Sequence, residues 1–173
     1  MEILQLSKAI AWSKLHKIDV DEAGKVCAAN TALHKRRFQI PKDASKHLSF
    51  CRFVEFSLRP WTRCLFWVTA WGIWESSENW HLYYRLRESY GDRRLLDEAP
   101  AHLFLDYENH DLTSFLQIAL SAGWDCLLLT STGYCHAAIS HDEWIEFFMR
   151  DKVELEKLST NLAQYGVKQL PTR

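Results

Sequence analysis

Four side chains able to bind a metal or move a proton crowd one short stretch of this chain: Asp106, Glu108, His110 and Asp111. Carboxylate and imidazole placed together can hold a divalent cation or act as acid and base. The same residues also suit the first turn of a helix, where negative charge favours the dipole, and their spacing matches no recognised metal motif. His136 and His141, the latter followed by Asp142 and Glu143, offer a second such group. Asp106, Glu108, His110, His136 and His141 together define one reading of the chain, a small metal-dependent hydrolase. Against it, the sequence contains no G-x-S-x-G, no G-x-x-x-x-G-K, no G-x-G-x-x-G and no H-E-x-x-H. The five cysteines are odd in number and include no C-x-x-C pair, so they read as reduced thiols. No cofactor is implied.

The charge distribution says more than any of these motifs. Between Leu95 and Met149 the chain has no lysine or arginine, yet it carries Asp97, Glu98, Asp106, Glu108, Asp111, Asp125, Asp142, Glu143 and Glu146. A formal net charge of −1 over the whole chain hides this, because the basic residues are concentrated elsewhere, at Lys8, Lys14, Lys17, Lys25, Lys35, Arg36 and Arg37 among others. An acidic surface steers basic partners and repels nucleic acid and anionic lipid. His34-Lys35-Arg36-Arg37 is the compact basic patch, and it reads as a solvated helix end.

These residues must be held by something, and the pattern predicts an α+β fold, with a mainly antiparallel sheet of about five strands and helices packed on one face. One domain is expected over 1–173, with a helical N-terminal part at 1–40 and an α+β body at 50–165. A helix cap is expected at Asp19 or Asp21, and a loop over Pro41–Ser49. Phe50–Leu58 and Cys64–Trp74 have strand composition and flank Arg59-Pro60-Trp61-Thr62, so they predict a hairpin, with Gly72 marking a bulge or a close backbone approach. Ser76 to Asn79 offer caps for a helix ending at Gly91.

A short strand is expected at His102–Asp106. Leu112, Phe115, Leu116, Ala119 and Leu120 then give the cleanest helical stripe in the chain, stopped by Gly123. Cys126–Leu129 and Tyr134–Ile139 form a hairpin around Ser131-Thr132-Gly133 whose register keeps Cys126 and Cys135 apart. Ser140-His141-Asp142-Glu143 has the form of a capping box opening a helix through Trp144 and Phe148. A further helix with Val153, Leu155, Leu158 and Leu162 runs to Gly166, and Pro171-Thr172-Arg173 frays. No apolar segment is long enough for a membrane-spanning helix, and the start of the chain is unlike a signal peptide. The expectation is a cytoplasmic protein.

With 13% aromatic residues and 8 Trp, some rings are available for a contact surface. Trp67 and Trp71 share one strand face if the bulge follows them. Binding of a basic protein is the reading these features favour, with Asp106, Glu108, Asp111, Asp142, Glu143 and Glu146 at the surface and Trp144 or Trp80 as the apolar anchor. A third reading places the aromatic strand Leu65–Trp74 in an oligomer interface.

Four segments carry a resemblance: F-W-V-T-A-W-G-I-W-E-S-S-E-N-W-H-L-Y-Y-R-L-R-E-S-Y-G-D from Phe66, H-L-F-L-D-Y-E-N-H-D-L-T-S-F-L from His102, G-W-D-C-L-L-L-T from Gly123 and I-S-H-D-E-W-I-E-F-F from Ile139. Over about 66–148 the chain resembles a family of small bacterial cytosolic proteins that is similar to the immunity proteins paired with polymorphic secreted toxins. The resemblance implies a non-enzymatic inhibitor of a cognate toxin, commonly a basic nuclease, and carries over no catalytic residues.

Overall fold

The computed structural model describes residues 1–20, 33–71 and 77–171, the last without the side chains of 77–80. The expected cap at Asp21, the Gly72 bulge, Trp74, Ser76, the Trp80 ring and Thr172-Arg173 lie outside them. The class is α+β. The elements are β1 (Glu2–Leu4), α1 (Leu6–Leu15), β2 (His34–Gln39), α2 (His47–Ser57), β3 (Arg63–Ala70), α3 (Ser77–Ser89), β4 (Ala101–Leu105), α4 (Asn109–Ala122), β5 (Asp125–Thr130), β6 (Cys135–Ser140), β7 (Trp144–Met149), α5 (Lys152–Gln164) and β8 (Gln169–Leu170). The described strands form one antiparallel sheet in the order β1-β4-β3-β5-β6-β7-β2-β8, eight strands rather than about five.

Helices cover both faces of this sheet, not one. Alternation along the central strands sends Cys64, Phe66, Phe104, Leu128 and Phe147 into a core with Phe50, Val54, Leu112, Phe115 and Leu158 from α2, α4 and α5. Leu65, Trp67, Leu103, Leu127 and Leu129 point the other way and pack with Ala9 and Trp12 of α1. β3 is paired on both edges and buried from Cys64 to Val68, which leaves those side chains no part in an oligomer interface.

Three expectations fail for the same reason, that long-range burial overrides local composition. Phe50–Leu58 is mostly α2 rather than a strand, because Phe50, Cys51, Val54 and Leu58 make a helical stripe buried in the core. The turn at Arg59-Pro60 therefore joins a helix to a strand, and the helix begins inside the stretch read as a loop. His34–Arg37 is not a helix end but the strand β2, which reaches across the chain to β7 with Arg37 opposite Glu146 and Phe38 opposite Ile145. Trp144–Phe148 is not a helix either. Ile145, Phe147 and Met149 enter the core while Trp144, Glu146 and Phe148 face away, the period of a strand.

Ser140–Glu143 is accordingly a hairpin turn, not a capping box. The Glu143 amide donates to the Ser140 carbonyl at 3.1 Å, Ser140 pairs with Trp144, and Glu143 takes φ +61°, as expected of a three-residue loop closed by a left-handed residue. The irregularity in β3 falls between Val68 and Ala70. It comes before Trp71 and so puts the two rings on opposite faces: Trp67 in the α1 layer, Trp71 against Tyr83 and Trp124. β1, inside the stretch 1–40 read as helical, and β8 were not expected either, since each is a strand only through its pairing with β4 or β2, whereas α4 with the left-handed Gly123 at its end, β5, β6 and α5 agree with expectation. At the β5–β6 turn, Gly133 has φ +63° and a side chain there would meet Arg150 at 2.9 Å.

Candidate functional site: an acidic surface split in two

The register divides the acidic residues between opposite ends of the sheet. Asp106, Glu108 and Asp111 follow the end of β4, beside Arg63 and the β5–β6 turn. Asp125, Asp142 and Glu143 lie at the other end, where β5 starts and β6 turns into β7. A strand of this length separates them by roughly 20 Å, so the predicted acids do not form one patch.

At the β4–α4 junction the Asp106 amide donates to the Thr62 carbonyl at 3.2 Å, fixing the chain while its carboxylate stays exposed. Glu108 is largely occupied: Oε2 accepts from the Leu105 amide at 2.8 Å and Oε1 pairs with the Met1 amino group. Asp111 lies near the Tyr90 phenol, and burial first and then this carboxylate push the Tyr90 pKa up. Between Asp106 and Glu108, Tyr107 stands 73% exposed. His110 is exposed on the first turn of α4.

The hairpin end is more self-contained. His141 Nδ1 lies 2.9 Å from Asp125 Oδ1, which also accepts from the His141 amide at 2.6 Å, and Nε2 is 3.6 Å from Asp142. Glu143 pairs with Lys42 at 3.5 Å. Glu146 is buried, with Arg37 Nε 3.3 Å from its Oε1 and the Arg37 guanidinium 3.9 Å from the centroid of the Trp144 ring. The anchor expected at Trp144 and the acid at Glu146 are thus both covered by a basic residue of the N-terminal part. Internal pairing of the basic and acidic stretches is a feature of the fold.

The metal set is not brought together. Asp106, Glu108 and His110 sit at one end of the sheet and His141 at the other. His136 is buried within β6, its Nδ1 accepting from the Thr130 amide at 3.1 Å and its pKa lowered to about 4 by burial and then by Arg150. Among the described residues no group of three or more His, Cys, Asp or Glu could hold a metal ion. A cleft lined by Leu6, Trp67, Thr69, Trp71, Asp97 and Pro100 has a volume of about 160 Å³, below the usual range for small-molecule sites. Burial raises the thiols of Cys51, Cys64, Cys126 and Cys135, which makes them poor nucleophiles.

Sequence reasoning weighed the acids of D-Y-E-N-H-D and passed over its tyrosine. The signal was present, since a lone aromatic between carboxylates just after a strand has no core face to occupy. Trp80, the other expected anchor, has its ring outside the described residues.

Compared with protein-family models, curated proteins and solved structures, the chain matches none. No helix among the described residues is long and apolar enough to cross a membrane.

Proposed function

We propose that this chain is a non-enzymatic binding protein whose partner is a basic protein docking at the β4–α4 junction, with Tyr107 as anchor and Asp106 and Asp111 as charged rim. Neutralisation of a basic toxin, cytoplasmic and stoichiometric, is the specific form the reading takes. The observation that carries it is the exposed Tyr107 between carboxylates, in a stretch from Leu95 to Met149 with no positive charge. Aromatic anchors surrounded by charge are the usual composition of a protein contact. Arg63, in register with Leu105, borders the patch and sets its limit.

The test is a pair of baits in a low-salt lysate of the source cells, the natural chain and Asp106→Lys/Tyr107→Ala. Both positions are exposed, so the variant should melt within a few degrees of the natural chain. One basic protein held by the natural chain, lost with the variant and released by about 0.5 M salt is the expected result. Equal recovery by the two baits would dismiss the junction as the contact.

A further inference from the structure

Arg87 carries a buried charge that its surroundings do not balance. It lies on α3 with 0% exposure, one turn after Tyr83, its Cζ 5.8 Å from the centroid of that ring. Of its five N–H donors, one on Nη2 reaches Asp92 Oδ1 at 2.9 Å. Nε and Nη1 have no hydrogen-bond partner. Asp92 is shared: Arg94 also donates to it, from its amide at 3.0 Å to Oδ1, from Nε at 2.7 Å to Oδ2, and from Nη2. Two guanidinium groups thus divide one carboxylate, leaving a net positive charge.

Asp92 is the one carboxylate in an ion pair with Arg87 among the described residues. His102 is fully buried, its Nε2 2.7 Å from the Tyr83 hydroxyl, and burial and then Arg87 pull its pKa down to about 3, so it is neutral. Tyr83 packs against Trp71, Trp124 and Phe115, a dry wall that strengthens any electrostatic contact beside it. Buried donors are nearly always satisfied in folded proteins, and a buried unpaired charge is more costly still.

The guanidinium has two edges, Nε with Nη2 and Nη1 with Nη2. Whichever Nη2 hydrogen Asp92 takes, the edge bearing the other hydrogen and an orphaned nitrogen stays unpaired. A planar fork of this kind matches two oxygens of one anion through parallel N–H···O bonds.

We infer that Arg87 anchors a binding site for a single oxyanion, a carboxylate or phosphate group, on the edge of its guanidinium that Asp92 leaves unpaired. Arg94, whose side chain is 37% exposed against 9% for Asp92 and 0% for Arg87, is the outer cation of the same site. The inference is independent of the Asp106–Tyr107–Asp111 surface.

The experiment is thermal unfolding of the full chain at fixed ionic strength while inorganic phosphate or acetate replaces a bulky buffer sulfonate. The natural chain should show a saturable rise of about 5 °C or more at a hundredfold excess over Kd. The anion that saturates first names the class. Arg87→Met, close in volume and uncharged, should respond to neither, and Arg94→Gln should respond with a weaker Kd. Equal shifts in the natural chain and Arg87→Met, the result expected of general salt exclusion, would overturn the site. If Arg87→Met does not fold, calorimetric titration of the natural chain decides: a one-to-one isotherm with phosphate or acetate supports the site, and no heat with either removes it.

Discussion

The β4–α4 junction and the β6–β7 hairpin have nearly the same composition, acids with a histidine and an aromatic, and the fold makes opposite use of them. At the junction the backbone and the chain's own amino group occupy Glu108, while Asp106 and Tyr107 are left to solvent. At the hairpin Asp125 holds His141, Lys42 meets Glu143, and Arg37 covers both Glu146 and Trp144. The difference comes from β2. A basic strand inserted beside β7 turns that acidic segment inward, whereas the outer neighbour of β4 is β1, Glu2–Leu4, which brings no cationic side chain. Charge counted along a sequence is therefore not charge on a surface.

The largest expected effect separates interior from surface by pH. His136 and His102 have folded pKa values depressed to about 4 and about 3, below the ordinary 6.5. The unfolded chain takes protons on these groups first, so their contribution is full above pH 6.5 and is lost as pH falls toward about 4. His136 alone corresponds to about 3 kcal/mol. Denaturant titrations should show stability falling below pH 6.5, with a shallower slope in His136→Gln. A flat profile from 6.5 to 4.5 would refute this.

Next comes charge reversal on the two sides of the comparison. Glu146→Lys places a second cation under Arg37 in a buried position and should cost about 3 kcal/mol or more. Asp106→Lys should stay within about 0.5 kcal/mol. Similar losses from the two would erase the distinction. Both are read by urea midpoints at pH 7.

Smaller effects tell a real cap from an apparent one. Asp151 caps α5 through its Oδ1 on the amides of Val153 and Glu154, so Asp151→Ala should cost about 1 kcal/mol. Ser140→Ala, which loses one 3.2 Å bond from the Asp142 amide, should cost less than half of that. Finally, Glu143→Gly should leave stability unchanged or raise it by up to about 1 kcal/mol, since its φ of +61° suits glycine. A capping-box Glu143 would instead make the glycine variant less stable.

The parts of the fold that could be read from sequence were those whose signals are local. The 112–120 stripe, its Gly123 stop, the β5–β6 hairpin and α5 all follow from spacing within one element. The parts that could not be read depend on partners far along the chain. His34-Lys35-Arg36-Arg37 becomes a strand only through β7, and Trp144–Met149 carries a strand period that the S-x-x-E pattern before it masked. At the candidate site the acids were legible, but their division between two ends was not, because it needs the register of four strands. Arg87 gave no sign at all. One arginine among the polar residues of α3 looks like its neighbour Arg85, which is exposed.

β2 also sets the order in which the molecule can be completed. It pairs with β7 on one side and β8 on the other, partners more than a hundred residues later in the chain. β5, β6 and β7 can zip as consecutive hairpins, but β2 must wait on loop closure across most of the sequence, a contact pattern associated with slow folding. On a ribosome, at roughly 5–20 residues per second, Arg37 and Phe38 would stay without sheet partners for several seconds. The residues that later neutralise the acidic hairpin would spend that interval as an exposed basic segment in the nascent chain.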